Sequence, residues 1–327
     1  MASIRYRNGK WQVRVNRKGF ISETQTFLSK QDAERWGRSV ESEMDKGSFI
    51  SRAPAENTTL NELISLYIKE VSPTHKGYEP EVIKLKAMQR HKMTSLSLAN
   101  ITPKVIADYR DDRLKTCKAN TVIRDLAVLS SIFTYSIKEW GYAINNPVLA
   151  IRKPSMPLGR DRVLEPTEEE MLLAAMLPIR NRNIYMRHLT IVALETAMRR
   201  GELLSLKWEN INLSKKVAYL PMTKNGYSRY VPLSQRAINE FTLMPRSIDG
   251  KVFPIDKSAM SYCFNRACYR AGIIGLHFHD LRHTAITRLS QKLPNLIELA
   301  SVTGHRNVQM LARYYHPKAE ELALKLG

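Results

Sequence analysis

The stretch His277-Phe-His279-Asp-Leu-Arg282-His283-Thr284 governs the reading of this chain. A spacing of i, i+3 puts His279 and Arg282 on one helix face, so a proton-carrying ring and a permanent cation leave the same surface. Upstream, Thr196-Ala-Met-Arg199-Arg-Gly-Glu202 lies near the end of a helix that begins about Asn183. Between them, Met222-Thr-Lys224-Asn-Gly-Tyr-Ser-Arg-Tyr-Val-Pro-Leu233 sets Asn225-Gly226 between two strand-like runs. That is a tight-hairpin signal, with Lys224 at the tip. Downstream come Gly304-His305 and Arg313-Tyr314-Tyr315-His316.

Taken singly, each segment has an ordinary explanation. Arg199 pairs with Glu202 at i+3, Lys224 is solvated at a turn, a helical His beside an Arg is a structural hydrogen bonder, and Tyr314 is buried with its hydroxyl satisfied. The combination says more. Two arginines, a lysine, two histidines and a tyrosine suit attack on a phosphodiester without a metal. The pentacovalent transition state gains charge on its non-bridging oxygens, and arginine forks hold such oxygens bidentately. A tyrosine hydroxyl, with an unperturbed pKa of about 10, needs cationic surroundings and a proton acceptor. A lysine on a hairpin can protonate the leaving oxygen. A metal centre is the rival, with His277, His279, His283, His305 and His316 as conceivable ligands. No zinc spacing or HExxH is present, and the neighbouring arginines oppose a dication, so no metal and no cofactor are expected.

Working outward, 51 Lys+Arg against 31 Asp+Glu leave a formal charge of +20, which favours a polyanionic partner. The 43% hydrophobic and 25% charged residues rule out a disordered chain. No apolar run reaches the roughly 18 residues of a spanning helix, and the first residues lack a signal-peptide core. Cys117, Cys263 and Cys268 form no CxxC pair, so neither a disulfide framework nor a zinc ribbon is expected. The expectation is a cytoplasmic, nucleoid-associated protein with no membrane partner.

Residues 1–53 read as three strands and a helix. Trp11, Val13 and Val15 alternate with Gln12 and Arg14, Asn8-Gly9 makes a hairpin turn, and Ala33, Trp36, Val40 and Met44 recur at helical spacing before Gly47. Arg5, Arg7, Lys10, Arg14, Arg17 and Lys18 stand among the first twenty residues with no acidic residue, which favours a DNA-binding face over a merely solvated one. Residues 58–150 read as all-helical. Thr59 and Glu62 form a capping box ahead of the stripe Leu60, Leu63, Ile64, Tyr67, Ile68 and Val71, and a second long helix follows Asn120 to Gly141. The intervening Lys84, Lys86, Arg90 and Lys92 suit either a solvated face or phosphate contacts. A basic linker, 151–165, carries Arg152, Lys153, Arg160 and Arg162, suited to a phosphate backbone. Pro166-Thr167 then opens a helix by another capping box and starts a third domain, 166–327. The fold class is α+β: mostly helical, with small β-sheets.

In order and spacing, the segments Thr196–Glu202, Lys224 on its hairpin, His279-Asp-Leu-Arg282-His283-Thr284, Gly304-His305 and Tyr314 followed by His316 resemble the tyrosine site-specific recombinases, the phage integrase family. Gly159–Leu164, Glu195–Arg199 and His277–His279 look especially like shufflon-type DNA invertases. The resemblance implies an arm-type DNA-binding domain at 1–53, a helical core-binding (SAM-like) domain at 58–150 and a mixed α/β catalytic domain. It implies Tyr314 as the nucleophile of a 3′-phosphotyrosyl intermediate, chosen over Tyr315 by His316 at +2. Arg199 and Arg282 would clamp the phosphate, Lys224 would protonate the leaving 5′-oxygen, His279 would move a proton at the tyrosine, and His305 would bond a non-bridging oxygen. Ala197 stands where the family commonly has glycine; a helical position would tolerate it. The implied partners are double-stranded DNA at core and arm sites, three further copies in a tetramer, and accessory DNA-bending proteins. Integration and excision of a mobile element is the expected task, with site-specific inversion the alternative. A type IB topoisomerase and a non-catalytic DNA-binding regulator are the more distant readings. Lys318–Leu326 reads as a short helix that docks on its own domain or a neighbour.

Overall fold

The computed structural model describes residues 2–157, 159–178, 184–221, 228–315, 323 and 326. Two compact units divide the chain, Met1–Leu158 and Gly159–Gly327, and their boundary falls inside the basic 151–165 stretch.

The first unit opens with strands β1 (Ser3–Arg7), β2 (Lys10–Val15) and β3 (Glu23–Phe27), antiparallel in the order β1-β2-β3. Asn8 at φ 49° and Gly9 at φ 74° make the first turn, the left-handed pair that a two-residue hairpin needs. Helix α1 (Lys30–Asp45) packs Ala33, Val40 and Met44 onto Val13 and Val15. A separate apolar cluster holds α2 (Ala53–Asn57), α3 (Leu60–Glu70), α4 (Tyr78–Met88), α5 (Pro103–Thr116) and α6 (Ala119–Lys138). The Thr59 capping box forms, with Glu62 Oε2 accepting from Thr59 N at 2.7 Å and Thr59 Oγ1 from Glu62 N at 3.2 Å. Leu60, Leu63 and Ile64 of α3 meet Leu126, Leu129 and Phe133 of α6 in that core. Each such fully buried side chain contributes about 1.5–3 kcal/mol.

The second unit begins with α7 (Pro166–Ala175), opened by a capping box as the sequence predicts, with its N-cap one residue before the proline. The N-cap is Glu165, whose N–H donates to Glu168 Oε2 at 3.1 Å. Proline occupies the first helical position, where its fixed φ fits and its missing N–H costs nothing, so the cap falls on the residue before it. Helix α8 (Ile184–Thr196) runs through the core of the unit, followed by the short α9 (Arg200–Leu204). Strands β4 (Ile211–Asn212), β5 (Val217–Leu220) and β6 (Arg229–Pro232) form a small antiparallel sheet in sequential order. Helices α10 (Gln235–Leu243), α11 (Lys257–Arg270), α12 (Phe278–Lys292), α13 (Leu296–Thr303) and α14 (Gln309–Ala312) complete the described elements. The molecule is thus mostly helical with two small three-stranded sheets. No helix among the described residues is long and apolar enough to cross a membrane.

The break between α8 and α9 corrects one sequence-based expectation. Ala197 is not helical: its φ is 51°, in the left-handed region, and the residue is completely buried. Non-glycine residues enter that region at a cost of about 1–2 kcal/mol, because Cβ crowds the following carbonyl. The reversal turns Arg199 away from the axis of α8 and makes it the N-cap of α9. Lys224 with its hairpin tip, His316, and Lys318–Leu326 apart from Ala323 and Leu326 lie outside the described residues.

Candidate active site

Four elements of the second unit converge. Helix α12 starts where it does because Asp280, itself 2% exposed, accepts from the His277 N–H at 2.8 Å. The same carboxylate takes Arg160 Nη2 at 2.9 Å, so the acid of the motif is a structural anchor. From that fixed start, His279, Arg282 and His283 emerge within two turns.

Arg282 is 5% exposed and donates to the carbonyls of Ala197 and Thr303, the latter at 2.7 Å. Burial, then the positive charge of Arg199, pushes its guanidinium down to about 9, which still leaves it protonated at neutral pH. Arg199 Nη1 donates to Glu202 Oε1 at 2.9 Å and Nη2 to Gly304 O at 3.0 Å. The ordinary i+3 pair therefore exists, and the same arginine is also tied to the backbone beside His305. Gly304 caps α13 at φ 71° and sends the chain back toward this cluster.

Arg229 lies within the Met222–Leu233 segment, but the sequence assigns it no role. It forks onto both oxygens of Glu202, at 2.9 and 2.8 Å, and its Nε donates to Val302 O at 3.2 Å. Burial alone would raise the Glu202 carboxyl, but Arg229, the Arg199 N–H and the Arg199 guanidinium hold it at about 2. A signal was available: Arg229 stands two and four residues before the buried Val231 and Leu233, so strand periodicity assigns an arginine to the core-facing side.

The hydroxyl of Tyr314 is in hydrogen-bond contact with Nδ1 of His283. His279, expected there, lies one helical turn earlier, its ring edge-on to His283 with centroids 5.3 Å apart. Positions i and i+4 share the helix face, and Tyr314 approaches over the C-terminal of the two. Burial, then His279 and Arg313, pushes His283 down to about 4, so the ring is neutral at physiological pH, with Nδ1 facing the phenol. Burial raises the Tyr314 hydroxyl, against the opposing charges of Arg313 and Arg282. The guanidinium of Arg313 also lies 5.0 Å from the centroid of the Tyr314 ring. His305 is lowered to about 4 by burial and by Arg282, Arg199 and Arg229; its Nδ1 is 2.7 Å from Thr303 Oγ1. Among the described residues no three His, Cys, Asp or Glu side chains converge as a metal site.

Residues 162–321 match the phage integrase family, and residues 56–154 match the phage integrase N-terminal domain. The shufflon-specific DNA recombinase of Escherichia coli is 41% identical over 277 residues, 82% of this chain and 71% of the relative. The chain belongs to the phage integrase family of tyrosine recombinases. It is a site-specific DNA recombinase, close to the shufflon type. A putative integrase/recombinase of Haemophilus influenzae is 34% identical over 335 residues, covering 98% of this chain and 89% of that one. In fold, the recombinase is similar to a lambda integrase tetramer bound to a Holliday junction, with TM-score 0.67 and 21% identity over 96% of this chain and 94% of that one. It is likewise similar to the Tn1549 transposon integrase in complex with circular intermediate DNA, with TM-score 0.67 and 18% identity over 83% of this chain and all of that one.

The predicted DNA-binding residues of the recombinase divide. In the first unit, the register pairs Ser3 with Arg14, Arg5 with Gln12, Arg7 with Lys10 and Arg14 with Thr24, so Arg5, Arg7, Lys10 and Arg14 share one exposed sheet face with no acidic residue among them. Lys86 and Arg90 are exposed, whereas Lys84 is half-buried, with Nζ 3.8 Å from the buried Asp125. Arg152 and Lys153 are exposed. Arg160 and Arg162, expected along a phosphate backbone, pair with Asp280 and Glu168 within the second unit, their side chains 50% and 29% exposed.

Proposed function

We propose that this recombinase cleaves DNA through Tyr314. The observation that carries the reading is the Tyr314 hydroxyl set against the neutral ring of His283, beside a cluster of buried arginines. In the step, the Oη–H bond breaks and its proton passes to His283 Nδ1 while Oη bonds to the scissile phosphorus. The phosphorus–O5′ bond then breaks, and the departing oxygen takes a proton from Lys224. Arg199 and Arg282 neutralise the non-bridging oxygens, and a donor from the His305 ring supports one of them. The product is a 3′-phosphotyrosyl bond that keeps the energy of the original diester, so a 5′-hydroxyl of another strand can reverse the step and rejoin the DNA. His279 orients the His283 ring.

By this reading residues 166–327 carry the chemistry, 58–150 grip the core site, and the sheet of 1–53 holds accessory arm sites. Four copies assemble on two core sites, with accessory proteins bending the intervening DNA. The task is integration and excision of a mobile element. Site-specific inversion is the second reading, favoured by the 41% identity to the shufflon-specific recombinase.

The test is covalent trapping on nicked duplexes tiled across the DNA flanking the gene, in EDTA, with wild type, Tyr314→Phe and Tyr315→Phe. A metal-independent adduct lost only in Tyr314→Phe is expected. An adduct lost only in Tyr315→Phe would move the nucleophile by one residue, and salt-sensitive binding with no adduct on any duplex would favour the regulator.

A further inference from the structure

Arg229 stands at the start of β6, yet its guanidinium is spent on groups of two other elements. Its fork closes on Glu202 at the head of α9, and its Nε reaches Val302 near the end of α13. The side chain is 10% exposed and Glu202 6%, so this is a buried charge pair rather than a surface one. Such a pair is costly to desolvate and is weak evidence of a purely stabilising role. Gly304 completes the fit: a Cβ there would lie 2.8 Å from Arg229 Nη1, and φ at that position is 71°.

Charge arithmetic suggests what the pair does. Arg199, Arg282 and Arg229 against Glu202 leave two net positive charges around the place where a phosphate would sit. Without Arg229 one remains, and Arg199 becomes the sole neutralising partner of Glu202. Each Glu202 oxygen currently takes one donor from Arg229 and one from Arg199, counting the Arg199 backbone N–H. Arg199 is thereby held in place without having to cancel the carboxylate alone.

We propose that Arg229 is a positioning residue for the arginine clamp: it neutralises Glu202 so that Arg199 keeps its charge for the scissile phosphate, and it holds the hairpin strand in register with Arg199 and His305. This rests on the reading of Tyr314 as nucleophile. It is a role for a residue that is nearly buried and spends its donors on protein acceptors. A methionine at 229 keeps most of the volume and removes the charge; a lysine keeps the charge and loses the fork.

The experiment uses the full chain and the nicked duplex that traps wild type, made once with the natural phosphodiester and once with a neutral methylphosphonate at the scissile position. Arg229→Met should bind the duplex as wild type does, within about threefold, since the guanidinium is nearly buried on Glu202 and Val302 rather than offered to a phosphate. It should form the Tyr314 adduct between about tenfold and 100-fold more slowly, the range for a misplaced clamp. On the methylphosphonate, which carries no charge for Arg199 to meet, most of that deficit should vanish. Arg229→Lys should fall between the two. Equal rates for wild type and Arg229→Met on the phosphodiester would overturn the proposal, as would the same deficit on both duplexes, which a merely distorted fold would produce. If Arg229→Met shows no cooperative thermal transition, Arg229→Met combined with Glu202→Gln removes both charges and keeps the two net positive charges of the cluster. That double variant should cleave the phosphodiester within about tenfold of wild type, the lower edge of the same range, and a slower rate would overturn the charge argument. An adduct that persists in Tyr314→Phe would overturn the proposed function itself, separately from any result at 229.

Discussion

Arg282 donates a hydrogen bond to the backbone carbonyl of Ala197, and Ala197 holds the left-handed φ of 51° that brings this carbonyl round to it. The buried arginine and the strained alanine are one device: the chain reversal after α8 supplies one of the two backbone acceptors of a buried cation, the Thr303 carbonyl being the other. Three effects bear on Ala197→Gly. Relief of the left-handed strain, about 1–2 kcal/mol, opposes the lost methyl burial of about 0.8 and the glycine entropy of about 0.5–1. Thermal unfolding should therefore place Ala197→Gly within about 1 kcal/mol of wild type, while Ala197→Val, β-branched at the same φ, should lose more than about 2 kcal/mol. A stable Ala197→Val would show that the backbone reversal is not strained.

The pH dependence of stability has a defined sign at Glu202. Its folded pKa of about 2 lies below the ordinary 4.5, so the group stabilises the fold above the unfolded value and loses that contribution as pH falls through 4.5 toward 2. The shift corresponds to stabilisation on the order of 3 kcal/mol. Urea titrations of wild type and Glu202→Gln should show a gap near pH 6 that falls below half by about pH 3 and nearly closes at about pH 2. A gap independent of pH would mean the carboxylate is not what Arg199 and Arg229 hold.

His283 and His279 should separate experimentally. In the free protein, NMR of the His283 ring should show titration near 4, well below the ordinary 6.5, with the resonance shifting in Tyr314→Phe. His283→Ala should slow adduct formation by about 10²-fold or more, the range for loss of a proton acceptor, while duplex affinity stays unchanged. If His279→Ala were the slower variant and His283→Ala near wild type, the acceptor would be the earlier ring.

The exposed sheet face of residues 1–53 should carry a salt-dependent part of DNA binding. Replacing Arg5, Arg7, Lys10 and Arg14 by alanine should reduce the slope of log affinity against log salt by about 0.9 for each phosphate that is no longer neutralised. Removal of 1–53 should abolish accessory-site binding in gel shifts and leave core-site adducts intact. A truncated chain unable to cleave any core site would place these residues in the cleavage machinery.

Much of this was legible residue by residue. The hairpin at Asn8-Gly9, the Thr59–Glu62 box and the apolar stripes of α3 and α6 are local, set by turn chemistry and helical period. Pro166 could also have located its own cap one residue upstream, because proline at the first helical position fixes which residue precedes it. Ala197 misled for a physical reason: alanine is the best helix former, and only the demand of Arg282 for a carbonyl explains its left-handed turn. Arg160 and Arg162 look like free cations in a basic linker, but Asp280 reaches Arg160 across 120 residues, and Glu168 reaches Arg162 from the first turn of α7, six residues on.

The amino-acid order by itself determined the elements, the two apolar cores of the first unit and the set of groups able to act on a phosphate, since these follow from periodicity, capping and side-chain chemistry. It also determined the family, through motif order. Only the tertiary structure decided which histidine meets which tyrosine. His279 and His283 share a helix face and Tyr314 adjoins Tyr315, so local geometry leaves four pairings. The choice is made by how α12 and α14 pack, across a separation of 31 residues. The same holds for Arg229 and Glu202, joined over 27 residues by the burial of two charges that each required the other.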